Sequence, residues 1–194
     1  DATMQLSPAL AESWKATGPK TWEFSLRKGV KFHNGTPFTA QDVVFSIQRA
    51  PKVPNAPSTY RRRVSHVAEA VAVDDHTVRI TTKNPFPLLP NYLAGLPIVS
   101  HTTGMETESG AFNDGSKAHG TGPYKFVEFK RGDRIVFEAN KNWWNGKPRW
   151  DKVTVRWITS GPARTAALLA GDVDVIASAP PTDAARLDAD QNYN

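Results

Sequence analysis

The tightest constraint on this chain is a pattern of short runs in which apolar and polar residues alternate and then break at a turn. Trp22, Phe24 and Leu26 alternate with Glu23, Ser25 and Arg27; Val153, Val155 and Trp157 alternate with Lys152, Thr154 and Arg156. Successive side chains on a strand point to opposite faces, so each run predicts a strand with one buried face. Trp22 and Trp157 are accordingly expected in the core. Between Val71 and Thr82, Asp74-Asp75-His76-Thr77 separates two runs rich in valine and isoleucine, which predicts a hairpin. A second hairpin is expected from Tyr124 to Ala139. Tyr124, Phe126 and Glu128 share one face, Lys125, Val127 and Phe129 the other, and Arg131-Gly132-Asp133 makes the turn.

Two helices interrupt the strands. Thr39 with Asp42 three residues on has the form of a capping box, and Ala40, Val43, Val44 and Ile47 then share one face. Gln41, Gln48 and Arg49 are expected to point away from it, and Pro51 discourages continuation. The second helix lies between Pro162 and Gly171, with Val173-Asp174-Val175-Ile176 expected as a strand after it. Pro51–Pro57 reads as a loop, and residues 102–119 read as an irregular segment at a sub-domain boundary.

The glycines of GTGPYKF, residues 120–126, invite a phosphate-loop reading. A phosphate loop must open a helix whose first amides face the anion, whereas here a strand follows and Pro123 removes a donor. The glycines are therefore expected to form a tight entry turn. Of the following Trp143-Trp144 pair, one is expected to bury and the other to stack on a ligand or cover the sheet end. Trp14 fits either role.

The totals exclude several classes. With 194 residues, 39% hydrophobic and 22% charged, the chain is long enough for a core and has a globular composition. There is no cysteine, hence no disulfide or thiolate metal site, and no apolar run approaches the roughly 20 residues of a membrane helix. The net charge of +5 raises nucleic acid as a partner, but Arg61-Arg62-Arg63 is the only tight basic cluster and a solvated face accounts for it. The five histidines lack metal-ligand spacing, and no nucleophile elbow or nucleotide loop occurs. Asp75-His76 falls at a hairpin tip, a wet and mobile place for a catalytic dyad. Asp172 and Asp174 lack the remaining ligands of a calcium loop.

One resemblance draws these pieces together. LSPALAESWKATGPKTWEFSLRKGVKFHNGTPFTAQDVVFSIQRA resembles the signature region of family 5 extracellular solute-binding proteins, the receptors of peptide, nickel and related ABC importers. GTGPYKF, NWWNGKPRWDKVTVRWI and ALLAGDVDVI follow in the order and spacing of that family, so the resemblance covers nearly the whole chain. It implies a mixed α/β (α+β) fold that forms part of the first lobe of a two-lobed periplasmic-binding-protein-like receptor, closing on its solute by hinge motion. Residues 1–116 would be the inserted subdomain of that lobe and 117–194 part of its main subdomain. The family's first strands before LSPALAESW and its second lobe fall outside this sequence, so an internal stretch of a longer receptor is expected. Such a stretch, isolated, has open sheet edges and is expected to self-associate.

For function, the resemblance implies a non-enzymatic receptor, periplasmic or on the outer face of the cell membrane, without a cofactor or bound metal. It would deliver short peptides to the permease subunits of an importer; a nickel chelate or an oligosaccharide is the alternative solute. APSTYRRR resembles a loop that contributes an aromatic side chain to the cleft, which nominates Tyr60 and, beside it, Arg61 as ligand contacts. A surface turn is the competing reading of both. Two readings from other classes are a basic nucleic-acid-binding module on Arg61–Arg63, whose affinity would fall steeply with salt, and a hydrolase, for which the chain nominates no nucleophile or acid pair.

Overall fold

The computed structural model describes residues 5–53 and 60–189. Their elements, in chain order, are β1 (Ala11–Gly18), β2 (Thr21–Leu26), α1 (Ala40–Arg49), α2 (Arg61–Val64), β3 (Val67–Asp74), β4 (Thr77–Thr82), α3 (Leu89–Leu93), α4 (Gly110–Asn113), β5 (Tyr124–Lys130), β6 (Arg134–Ala139), β7 (Lys152–Arg156), α5 (Gly161–Leu169) and α6 (Pro181–Asp188). The fold is mixed α/β, as expected. Most of the stretch read as a loop from Pro51 to Pro57 lies outside the described residues.

Two compact units divide the chain: one holds residues up to Phe129 together with Val136–Val153, the other Lys130–Ile135 with the residues from Thr154 onward. The first is built on an antiparallel sheet of order β1-β2-β4-β3. Phe24 and Leu26 on β2 and Val78 and Ile80 on β4 turn one face inward, each at most 7% exposed. Phe24 sits opposite Val78, and Trp22 opposite Ile80. Burying each of these side chains stabilises the fold by about 1.5–3 kcal/mol. Trp22 is half-buried against this core.

The Val71–Thr82 hairpin forms where expected, with Asp75 and His76 between its strands. Asp74 and Asp75 at its tip are exposed, as expected, while the tip's backbone is tied to the rest of the unit. The Asp75 carbonyl accepts the Ala40 amide at 2.8 Å, and the His76 carbonyl accepts the Leu26 amide at 2.7 Å. The tip thus satisfies one of the orphan donors at the start of α1. Asp74 accepts the His76 amide at 2.7 Å, and that bond holds its carboxyl below the ordinary aspartate value.

Helix α1 presents Ala40 and Ile47 to the core, but Arg49 does not point away: it is 5% exposed. At 100° per residue Arg49 lies on the far side from Ile47, and a second layer covers that side, made by residues 96–113 (below). In the second unit, Arg164 of α5 donates to the Ile158, Thr159 and Ser178 carbonyls at 2.9–3.2 Å, which ties both flanks of the helix to it. Ser160 caps α5, Pro162 opens it, and Gly171 follows it with φ 75°.

Two expectations fail here. Val173–Ile176 form no strand, and Val175 is 78% exposed. Trp157 is 47% exposed rather than core, as is the Val155 side chain at 45%. Alternation reports which face of a strand is apolar; it does not supply the layer that covers the face. β7 stands at the edge of the sheet of order β5-β6-β7, and among the described residues no further strand pairs with it.

Candidate ligand-binding site

Tyr60 immediately precedes α2, and Arg61 is that helix's first residue. Tyr60 is half-exposed and lines a cavity of about 300 Å³. Three segments build the remaining walls: the last turn of α1 and the residues after it (Ser46, Arg49, Ala50, Val53), the loop through Leu96, Pro97 and Val99, and α4 with the residue before it. Arg61 is exposed and is not among the lining residues. The neighbouring Arg63 packs over Gly95, where any Cβ would collide with its guanidinium. All three arginines of the triplet are exposed, as a solvated face requires, and Arg63 in addition covers Gly95.

The walls are held by hydrogen bonds from α1. Ser46 Oγ donates to the Asp42 carbonyl at 2.7 Å and accepts the Val99 amide at 3.0 Å, so one hydroxyl fixes the 96–100 loop on the helix. Asp42 is fully buried and anchors both ends of this arrangement. Its Oδ2 accepts the Thr39 amide at 2.7 Å, the expected capping bond. Its Oδ1 accepts both the His101 amide and His101 Nδ1 at 2.8 Å. The sequence disclosed the first bond through its three-residue spacing; nothing in the spacing discloses the second, which joins residues 59 apart.

In the 120–144 stretch the entry turn and the residues around Trp144 bond within the protein. His33 faces the entry turn with every polar group engaged: its amide donates to the Gly120 carbonyl at 2.8 Å, Nδ1 accepts the Gly120 amide at 3.2 Å, and Nε2 meets the Gly122 carbonyl at 3.0 Å. Since Nδ1 accepts, the proton sits on Nε2, which donates to Gly122. Burial, foremost, lowers the His33 pKa below 6.5; Lys125 and His119 add to the effect, while the Gly122 bond opposes it. Asn140 Nδ2 also donates to the Gly122 carbonyl at 3.1 Å, and Trp144 Nε1 donates to the Thr121 carbonyl at 3.2 Å. The Arg27 guanidinium lies 4.5 Å from the centroid of the Trp144 ring, a cation–π contact. Trp144 packs on the core and Trp143 meets it edge to face, 5.8 Å between centroids. Trp14 likewise packs on the core.

Solved structures with a similar fold define a class. An ABC transporter-associated periplasmic binding protein, DppA of Helicobacter pylori in complex with the peptide STSA, matches 97% of this chain and 41% of its own, with TM-score 0.79 and 27% identity. NikA of Brucella suis in complex with Fe(III)-EDTA matches 97% of this chain and 39% of its own, with TM-score 0.81 and 29% identity. The class is that of the periplasmic solute-binding proteins. The sequence carries the assignment further: residues 5–194 match the family described as bacterial extracellular solute-binding proteins, family 5, middle region, and the chain belongs to that family. Among curated relatives, the glutathione-binding protein GsiB of Pectobacterium atrosepticum is 33% identical over 89% of this chain, and the heme-binding protein A of Haemophilus influenzae 32% over 95%. The chain spans 34% and 38% of those two relatives' lengths.

Proposed function

We propose that this chain forms part of the first lobe of the solute-binding receptor of an ABC importer. The receptor closes with a second lobe around a small solute and presents it to the permease subunits. Residues 1–116 are assigned to the inserted subdomain and 117–194 to the main subdomain of that lobe. The observation that carries the reading is the family match, which runs through 190 of the 194 residues. Short peptides are the favoured solute. Relatives are named for binding glutathione and D,D-dipeptides, and one solved relative holds the peptide STSA. The receptor works outside the cytoplasm, in keeping with the family's extracellular description, and among the described residues no helix is long and apolar enough to cross a membrane. It returns its solute chemically unchanged and takes no nucleic acid.

Tyr60 is the residue of this chain assigned to the solute, with Arg61 beside it. Its half-exposed ring can stack on a flat group or cover an apolar one while its hydroxyl stays wet. Native mass spectrometry of the intact receptor, purified from its own cells, tests the function. A spread of excess masses that dissociate as short peptides is expected. A single discrete mass points to one dedicated solute, such as the chelated metals suggested by the nickel-binding relatives. No retained mass, with no affinity for peptides in titration, overturns the proposal. Tyr60→Ala in the same receptor should weaken peptide binding about tenfold or more, as truncation of a buried aromatic contact does; unchanged affinity removes Tyr60 from the site.

A further inference from the structure

Arg49 is the feature of this molecule that its fold leaves unexplained. It is a cation only 5% exposed to solvent, and among the described residues it makes no ion pair. One nitrogen, Nη2, donates to the Thr107 carbonyl, and the guanidinium lies 5.4 Å from the centroid of the Phe112 ring. Its Nε is buried and, among the described residues, has no partner. Burial of this kind disfavours the charged form, and it holds the group below the ordinary arginine value. Yet a guanidinium stays protonated at any ordinary pH, so the charge remains and one donor goes unmet. Buried charges are paired or hydrogen-bonded as a rule, and an exception calls for a reason.

The reason lies beside it. Arg49 lines the cavity of about 300 Å³, a volume at the small end of ligand pockets. The cavity has an apolar part, formed by Ala50, Val53, Leu96, Val99 and Phe112, and carries Ser109 and Asn113 as further polar groups. Among the described residues no carboxylate lines it. A planar cation in the wall of an apolar cavity, without a resident counter-ion, suits one chemistry: a carboxylate that neutralises the guanidinium while a small branched or flat body fills the apolar part.

We propose that this cavity is a binding site for a small apolar monocarboxylate, with Arg49 as its counter-ion. All lining residues fall within the first compact unit. Because Tyr60 lines the same cavity, the inference deepens the receptor reading, while its test needs only that unit. The carboxylate can belong to a free acid or to the C-terminus of a peptide, and the two sources share the same contact.

The test uses the full chain labelled with 15N-arginine, with the Arg49 Nε–H resonance assigned by its loss in Arg49→Lys. Isovalerate is titrated at constant ionic strength, against neutral isovaleramide and against chloride. Isovalerate is expected to shift that resonance saturably and raise the Tm, while isovaleramide and chloride do neither. Arg49→Lys, which keeps charge but loses the planar fork, should weaken isovalerate about tenfold or more. Should that variant fail to fold, Asn113→Asp keeps the question open to test, because it adds a resident negative charge to the wall and should weaken isovalerate to a similar degree. Competition by N-acetyl-Ala-Leu identifies a peptide C-terminus as the source; binding of isovalerate without such competition identifies a free acid. An equal response to isovaleramide or chloride, or no shift of the Arg49 resonance up to high millimolar isovalerate, overturns the proposal.

Discussion

Asp42→Asn is the substitution for which the structure makes the sharpest demand. The carboxylate accepts from three N–H groups, at 2.7 Å from Thr39 N and 2.8 Å from both His101 N and Nδ1, with Thr39 Oγ1 a weaker fourth contact at 3.3 Å. An amide has one oxygen. In the better of its two orientations the oxygen faces His101 and the NH₂ turns to Thr39, where the hydroxyl can accept but the backbone N–H cannot. One buried donor is then unmet, at about 1–3 kcal/mol, and the bonds to His101 lose their ionic character. The expected loss is about 2–4 kcal/mol. In urea, with a slope of about 2 kcal/mol per molar, the unfolding midpoint should fall by about 1–2 M at unchanged slope. Tryptophan fluorescence reads it, since Trp14, Trp22 and Trp144 all pack on the core. A cycle with His101→Ala should return a coupling of at least about 1 kcal/mol. A midpoint shift below about 0.25 M would mean that the carboxylate does not hold the 101 segment to α1, and the case for a helix-anchored wall of the cavity would go with it.

Two further outcomes follow from the first unit. His33 has a lowered folded-state pKa, so its contribution to stability is fully present above its ordinary value of 6.5 and is lost as pH falls through the folded value. The wild-type urea midpoint should therefore drop between pH 7 and pH 5 by more than that of His33→Gln; parallel pH profiles would refute the neutral, doubly engaged imidazole. Gly35 has φ 88°, and no atom lies within 4 Å of the point a Cβ would occupy there, so Gly35→Ala should cost about 1–2 kcal/mol through backbone strain alone, and Gly35→Asn less, as thermal denaturation would show.

What the sequence disclosed was local. The face of β2, the tips at Asp75-His76 and Gly132, and the caps at Thr39 and Ser160–Pro162 all depend on neighbours within a few positions, and each is legible from spacing. What it concealed depends on a second layer. Val173–Ile176 has strand-like residues but no partner among the described ones, and hydrogen-bonded pairing is what makes a strand. Trp157 has the right alternation and no cover sufficient to bury it. Arg49 falls on the polar side of α1 by periodicity and is buried because residues 107–112 fold over that side. Tyr60 is nominated only through family resemblance, and the cavity it lines, assembled from segments about 50 residues apart, was not legible at all.

The identifying motifs and the groups proposed to meet a ligand are thus different residues, and polar satisfaction separates them. KFHNG, GTGPY and NWW bind one another: His33, Gly120, Thr121, Gly122, Asn140 and Trp144 match donors to acceptors among themselves. Groups so matched have nothing left to offer a solute. Among the described residues, the buried polar side-chain atoms left over are Arg49 Nε, His76 Nδ1 and Trp143 Nε1. The His76 ring lies at a hairpin tip whose backbone carries the contacts, and Trp143 closes on its neighbour Trp144. Of these three, only Arg49 combines an unmet donor with a full charge and a chamber beside it. A cation in that position is costly to the fold, and replacing it by a leucine should stabilise the empty protein if the charge has no structural duty. A gain in urea midpoint for Arg49→Leu, together with lost isovalerate response, would separate the two roles; a loss in midpoint would instead assign Arg49 to the support of the 107–112 segment.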